Sequence, residues 1–436
     1  MNLSWLSIIR LGLVQMALGS IVVLTTSTLN RLMIVENALP AVIPGLLVAF
    51  HYGVQITRPA WGFLSDIGNK RTNWIILGML VLGVGGISAT LGVIFINTNF
   101  FLGLLISIIA YALIGLGVGA AGTSLLALLA TKARPQHRAA AATITWLMMI
   151  LGIALTAGIV GLLLEPYTPT KLIVIVTSVA IIANLLALVS VWGIEKRHKV
   201  KELASSTKTE NNTVINGLRE IWKERKAKLF TIFVALSMTA YFMQELILEP
   251  YAGFVFEFSP GETTSLSGVQ HMGVFLGMIS VGVTVTGFKL GTLRLWVFTG
   301  CIGSALALVL IALFGQIHTE ISFFWPVAFL GYCNGAFAVA AIGSMMQLAS
   351  EGREHREGTR MGIWGASQAL AAGFGGLLGT LLVDIMRFVT NEISTAFGIV
   401  FLIEAILFLA AAVMSAKIIE NQRTETVYSE LGTVDQ

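Results

Sequence analysis

Five charged side chains and two imidazoles fall inside stretches that are otherwise apolar: Arg31, Glu36, Glu245, Glu249 and Glu404, with His51 and His271. A charge taken out of water must be paired or neutralised, so a chain that keeps one within an apolar run uses it for pairing, proton handling or ligand binding. Arg31 and Glu249 stand 218 residues apart, the period of an internal repeat described below. That correspondence predicts an ion pair between them, able to act as a gate with or without a ligand. A neutral imidazole is a metal ligand as well as a hydrogen-bonding core residue, so His51 and His271 are the two intramembrane candidates for an axial ligand. His137, His198, His318 and His355 fall in or near connections. Gln15 and Gln244 are weaker donors of an amide oxygen, and Arg58 adds a second cation at the end of the second apolar run.

The elements that must position these groups follow from composition. Of 436 residues 56% are hydrophobic and 11% charged, and the mean hydropathy is +0.85. A water-soluble surface needs two to three times that charge density, so most of this chain is expected in lipid. A bilayer core takes about twenty apolar residues per helix. Cutting at Pro, Gly and charge clusters gives twelve spans: 8–33, 42–64, 74–96, 100–130, 139–164 and 172–193, then 230–254, 266–288, 295–315, 323–349, 362–386 and 396–416. The fold class is therefore all-α integral membrane, twelve helices in two halves of six. The halves are 1–194 and 229–416, joined by a polar linker over 195–228 and followed by a polar tail over 417–436. Within the linker, Val214, Leu218, Ile221 and Trp222 lie at helical spacing among basic residues, a pattern suited to a helix on the membrane surface.

Lys and Arg near span ends are retained in the cytoplasm. Alternate connections carry Lys70 and Arg71; Lys132, Arg134 and Arg138; Lys289 and Arg294; and Arg353, Arg356 and Arg360. The opposite connections are nearly free of them, Lys171 and Arg387 excepted, so both termini are expected in the cytoplasm. The net charge of +4 reads as topology, and no nucleic-acid partner is expected. The two halves echo one another at the offset of 218: His137-Arg138 on His355-Arg356, Trp146 on Trp364, Gly158 and Gly161 on Gly376 and Gly379, and Gly117 on Gly335. Duplicated halves are a common build of secondary transporters, and glycines at such spacing let helices pack closely. Cys301 and Cys333 lack ligand spacing and are expected as buried thiols. No phosphate-binding Gly-rich loop, metal-binding His-Glu-x-x-His or serine elbow occurs, so neither an ATP-driven pump nor an enzyme is expected.

Gly62-Phe63-Leu64-Ser65-Asp66-Ile67-Gly68-Asn69-Lys70-Arg71 resembles the cytoplasmic loop signature of the major facilitator superfamily. The resemblance implies a latch formed by Gly62, Asp66, Gly68, Lys70 and Arg71, with Asp66 approaching the start of the eleventh helix near Gly362. The corresponding stretch from Gly287 to Arg294 lacks the acidic residue. Three further stretches are more distinctive: Thr28 to Glu36, His51-Tyr52 with Arg58 and Trp61-Gly62, and Met243 to Tyr251. Together they resemble the PucC, or bacteriochlorophyll delivery, family of that superfamily. The resemblance implies a protein of a photosynthetic membrane, thylakoid or bacterial inner or intracytoplasmic, that binds or delivers chlorophyll or bacteriochlorophyll. It would assist assembly of light-harvesting or photosystem complexes, with pigment, their subunits and membrane lipid as partners. On that reading Arg31, Glu36, His51, Arg58, Gln244, Glu245, Glu249 and His271 are the pigment-site candidates. His51 and His271 could ligate the pigment magnesium, and the pigment is cargo, with no intrinsic metal or tightly bound cofactor. Two other readings remain open: a proton-coupled transporter of a small solute, and an assembly scaffold that transports nothing.

Overall fold

The computed structural model describes residues 4–58, 60–61, 64, 71–133, 138–195, 225–288, 290–317, 322–350 and 357–418, and among these described residues twelve apolar helices form the bundle. In chain order they are α1 (Trp5–Glu36), α2 (Val42–Thr57), α3 (Arg71–Ile96), α4 (Phe100–Lys132), α5 (Arg138–Leu163), α6 (Pro169–Val191), α7 (Arg225–Val255), α8 (Pro260–Val281), α9 (Leu293–Phe314), α10 (Phe324–Ser350), α11 (Glu357–Thr390) and α12 (Ile393–Ile418). Eleven are long and apolar enough to cross a membrane, and α2 is a shorter apolar helix. The latch residues Gly62, Asp66, Gly68 and Lys70, the linker over 196–224 and the tail from 419 lie outside the described residues. Arg71 opens α3 and donates to the Ala127 carbonyl of α4 at 3.0 Å.

Five of the helices are started by a small polar residue whose side chain takes one of the orphan N–H groups of the first turn. Ser4, Asn99, Thr168 and Thr292 do this for α1, α4, α6 and α9. Ser259 does it for α8 within a reciprocal pair with Glu262, which starts that helix six residues before the expected span.

Three hydrophobic clusters form: one within α1–α6, to which only Leu246 of α7 is added, one within α7–α12, and a small one of Ile150, Val274 and Met278 where α5 meets α8. Glycines set the closest approaches. Along α3 and α4, Gly78, Gly85 and Gly92 recur every seven residues against Gly117, Ile114 and Gly103, where an added Cβ would stand within about 3 Å of opposing backbone. Gly273, Gly277, Gly331 and Gly335 do the same for α8 and α10. Where no hydrophobic effect drives helices together, such backbone proximity supplies the dispersion contacts that hold them. Gly161 faces α8 across the two halves and the backbone of Gly158 lies under Gly268 there, whereas their repeat partners Gly376 and Gly379 face α7 within one half.

The halves meet where α5 runs along α8, α2 along α11, and α1 against α7. Connections α1–α2, α5–α6, α7–α8 and α11–α12 lie at the end of the bundle away from Trp5 and Ile418, here called the distal end.

Candidate functional site

The last four turns of α1 carry Ser27, Thr28, Asn30 and Arg31, all buried. Over Leu24–Thr28 and Leu32–Glu36 the helix widens into π turns, the kind of local expansion that recurs at functional sites. The sequence encourages it: the Thr25 and Thr26 hydroxyls both bond back to the Val22 carbonyl, competing with the backbone ladder. The Thr25 carbonyl accepts from the Tyr111 hydroxyl of α4 at 2.8 Å.

Across from it, α7 contains Pro250. A proline has no N–H, so the carbonyl four residues earlier, Leu246, loses its helical partner. Asn30 fills the gap, donating through Nδ2 to that carbonyl at 2.8 Å. One turn away the Ser27 hydroxyl donates to Oε1 of Glu249, and Thr28 shares a 3.1 Å hydrogen bond with Thr264 of α8. Polar groups on α1, α7 and α8 thus form one buried seam between the halves.

Arg31 is 3% exposed and pairs with Glu36 at 2.5 Å, not with Glu249. Its other terminal nitrogen donates to the Phe258 carbonyl at 2.8 Å. The expected Arg31–Glu249 pair is corrected by two local facts. The π turn folds Glu36, five residues on, back over Arg31, and Ser27 already occupies one oxygen of Glu249. The Nε of Arg31 and Oε2 of Glu249 are left buried without partners. Gly253 makes room for the guanidinium, since a Cβ there would stand 3.2 Å from Nη2. Above this pair, in the α5–α6 connection, burial pushes the Tyr167 phenol above its usual range, the Glu36 carboxylate adds to the push and Arg31 opposes it.

His271 shares the α8 face of Thr264 and Ser267, one turn further into the bundle. Its Nδ1 bonds the Ser267 carbonyl at 2.9 Å. Only a protonated Nδ1 can donate to a carbonyl, so a neutral ring carries its lone pair on Nε2. His51 is arranged differently. Its Nε2 is 2.9 Å from Nε2 of Gln55, whose Oε1 in turn accepts from Arg58, a ladder along one face of α2. His51, Arg58 and the half-buried Glu245 therefore belong to a second group, beside Tyr52, Phe242 and Tyr241. Gln244 is buried with Oε1 unpartnered, and along α7 it lies about one turn from Ala240, Ile247 and Leu248 of the α7–α12 core.

Near the distal end, Asp384 of α11 caps a helix from the other half. Its two oxygens accept from the backbone N–H of Ala41 at 3.0 Å and of Val42 at 2.8 Å, at the start of α2. A carboxylate at a helix N-terminus satisfies orphan donors and meets the positive end of the helix dipole. Ser259 donates to Glu165 across the same end. Asp384→Ala is expected to lower stability in detergent by about 1–2 kcal/mol, with Asp384→Asn in between. Unchanged melting of both variants would show that the cap does not hold the halves together.

A twelve-helix membrane bundle in two halves, with a polar seam between them, defines the fold of the major facilitator superfamily. Solved transporters share it: a bacterial homolog of the human lysosomal transporter Spinster, inward-facing, at TM-score 0.68 and 14% identity over 95% of this chain and 97% of that one, and a D-xylose-proton symporter at TM-score 0.69 and 16% identity over 95% and 97%. The PUCC protein family model matches residues 28–423, and the chain belongs to that family. It is 56% identical over 421 residues, 96% of each chain, to a protein of Rhodobacter capsulatus named bacteriochlorophyll synthase 44.5 kDa chain. It is 28% identical over 402 residues to the protein PucC of Cereibacter sphaeroides, covering 87% of this chain and 84% of that one. The chain is an integral membrane protein.

Proposed function

We propose that this protein binds or delivers bacteriochlorophyll or chlorophyll and assists assembly of light-harvesting or photosystem complexes. The reading rests on membership of the PUCC family and on the name of the Rhodobacter capsulatus relative. The observation in the site that carries it is His271. A buried imidazole whose Nδ1 is tied to a backbone carbonyl has its ring fixed and its Nε2 lone pair available, the arrangement of metal-ligating histidines. We assign His271 the axial contact to the pigment magnesium and His51 a structural place in the α2 ladder, because Gln55 already engages the His51 Nε2. Arg31 and Glu249, each with one unpartnered buried atom, are the groups to meet polar substituents of the macrocycle. The pigment is cargo, and its magnesium arrives with it.

The word synthase in that relative's name raises catalysis. We read the chain as the handler of a pigment made elsewhere, since its site groups engage in pairing and ligation. The basic connections, Lys132 and Arg294 among them, lie at the end that carries both termini, so we place that end in the cytoplasm. The membrane is a photosynthetic one.

The test is pigment retention by His271→Ala and His51→Ala variants purified in mild detergent from a photosynthetic host. The red or near-infrared band should fall at least several-fold in His271→Ala at unchanged folded yield, and persist in His51→Ala. The reverse pattern would reassign the ligand, equal retention in both would remove imidazole ligation, and formation of pigment from a precursor by the purified chain would make it an enzyme.

A further inference from the structure

The core of α7–α12 is mostly apolar, and buried polar side chains of α7, α9, α10 and α12 interrupt it near its middle. The Ser304 hydroxyl of α9 donates to Oδ1 of Asn334 on α10 at 2.7 Å. One turn towards the termini, Phe337 of α10 meets Phe408 of α12 at 5.8 Å between centroids, and Gly300 of α9 lies against Phe337. Stepping back one turn from these contacts brings Ser304, Asn334 and Glu404 to a common level. On the distal side, Tyr251 of α7 packs on Phe397 at 5.5 Å and on Phe401 at 5.0 Å, and donates to the Ile311 carbonyl at 2.9 Å. Gln244 lies two turns below Tyr251 on the same face of α7, as Ser304 lies two turns below Ile311 on α9. Helical register thus puts four polar side chains from four helices at about one level between two aromatic layers.

Their hydrogen-bonding capacity is unfilled. Glu404 is 0% exposed, and both of its oxygens, Nδ2 of Asn334 and Oε1 of Gln244 lack partners. The other titratable side chains of the surrounding core are Cys301, Cys333 and Tyr251, with Tyr241 packed against it, and among the described residues no Lys, Arg or His of α7, α9, α10 or α12 is buried. An ionised carboxylate here would be buried without a counter-charge, which the protein can sustain only by binding a positive charge.

We propose that Glu404 holds a proton and that Gln244, Ser304, Asn334 and neutral Glu404 form a sealed protonation site in this half. One proton completes the donor and acceptor count. The Asn334 amide donates to one oxygen of Glu404, and the Glu404 hydroxyl donates to Oε1 of Gln244. The four unpartnered atoms stand beyond direct hydrogen-bonding distance, so a rotamer turn of Gln244 or a bridging water closes the ring. Gln244 precedes Glu245 and Glu249 on α7, so this site also fixes the helix that carries them.

The test compares full-length wild type with Glu404→Gln, Glu404→Ala and Asn334→Asp in detergent, by infrared difference spectroscopy and thermal melting. A glutamine reproduces the neutral acid, with its carbonyl accepting from Asn334 and its amide donating to Gln244. The wild type should show a protonated-carboxyl stretch that Glu404→Gln lacks. Glu404→Gln should melt with the wild type, while Glu404→Ala and Asn334→Asp melt several degrees lower. Absence of that stretch, or Glu404→Gln melting as low as Glu404→Ala, would overturn the proposal. So would melting of the wild type that rises with added sodium or potassium while Glu404→Gln does not respond, since that identifies a bound cation.

Discussion

Gly335→Leu is expected to leave almost no folded protein. A Cβ at this position would stand 2.0 Å from the Val274 carbonyl oxygen, which is backbone of α8 and has no rotamer to change. Overpacking that side chains can absorb costs about 1–3 kcal/mol, and a clash of backbone with backbone exceeds that range because the helices must separate along their length. Gly331 and Gly277 share this interface, each with a carbonyl of the facing helix about as close. Since α8 also carries Ser267 and His271, separation would dismantle the site. Gly53 and Gly158, where an added Cβ meets nothing within 4 Å, are internal controls whose alanine variants should fold like the wild type. Fluorescence-detected size exclusion followed by melting separates the two classes. A monodisperse Gly335→Leu protein with wild-type melting would mean that the α8–α10 contact is not as close as described.

The second large effect is expected at Arg31. Arg31→Ala removes a buried cation that holds the half-exposed Glu36 and the Phe258 carbonyl, and leaves the carbonyl and the space of the side chain unfilled. Losing one partner of a fully buried pair costs about 3–5 kcal/mol. With Glu36 41% exposed, solvent screens the pair, so about 2–3 kcal/mol is expected. Arg31→Lys should recover less than half, because one ammonium cannot serve two acceptors set at the spacing of a guanidinium. A double-mutant cycle assigns the partner. Coupling of Arg31 to Glu36 should exceed its coupling to Glu249, and the opposite order would restore the pair expected from the repeat.

Sequence patterns alone reveal the twelve spans, the six-and-six division and the glycine stripes, because each is a regular property of one chain segment: apolar length, charge at span ends, or spacing along a helix. The ion pair was misread for a physical reason. An offset of 218 assumes ideal helical register, and the π turns over Leu24–Thr28 and Leu32–Glu36 shift that register at Arg31 itself. Thr25 and Thr26, two hydroxyls in succession, were the available signal. Asn30 was also missed as a site residue, although Pro250 announces a free carbonyl and only the pairing of α1 with α7 in space shows which amide takes it. In the sequence Asp384 is a single acid near the end of the eleventh span. Its role depends on α2 beginning beside α11, a contact between residues more than 340 positions apart. His51 and His271 look equivalent as letters. Hydrogen bonds to Gln55 and to the Ser267 carbonyl distinguish them.

The most direct test of pigment handling is the absorption spectrum and pigment-to-protein ratio of the unmodified chain, purified in mild detergent from a photosynthetic host. A red or near-infrared band at close to one pigment per chain is the expected result. A colourless protein that melts cooperatively, and stays colourless when bacteriochlorophyll or chlorophyll is added, would contradict the account and move the chain to an assembly scaffold or a solute transporter.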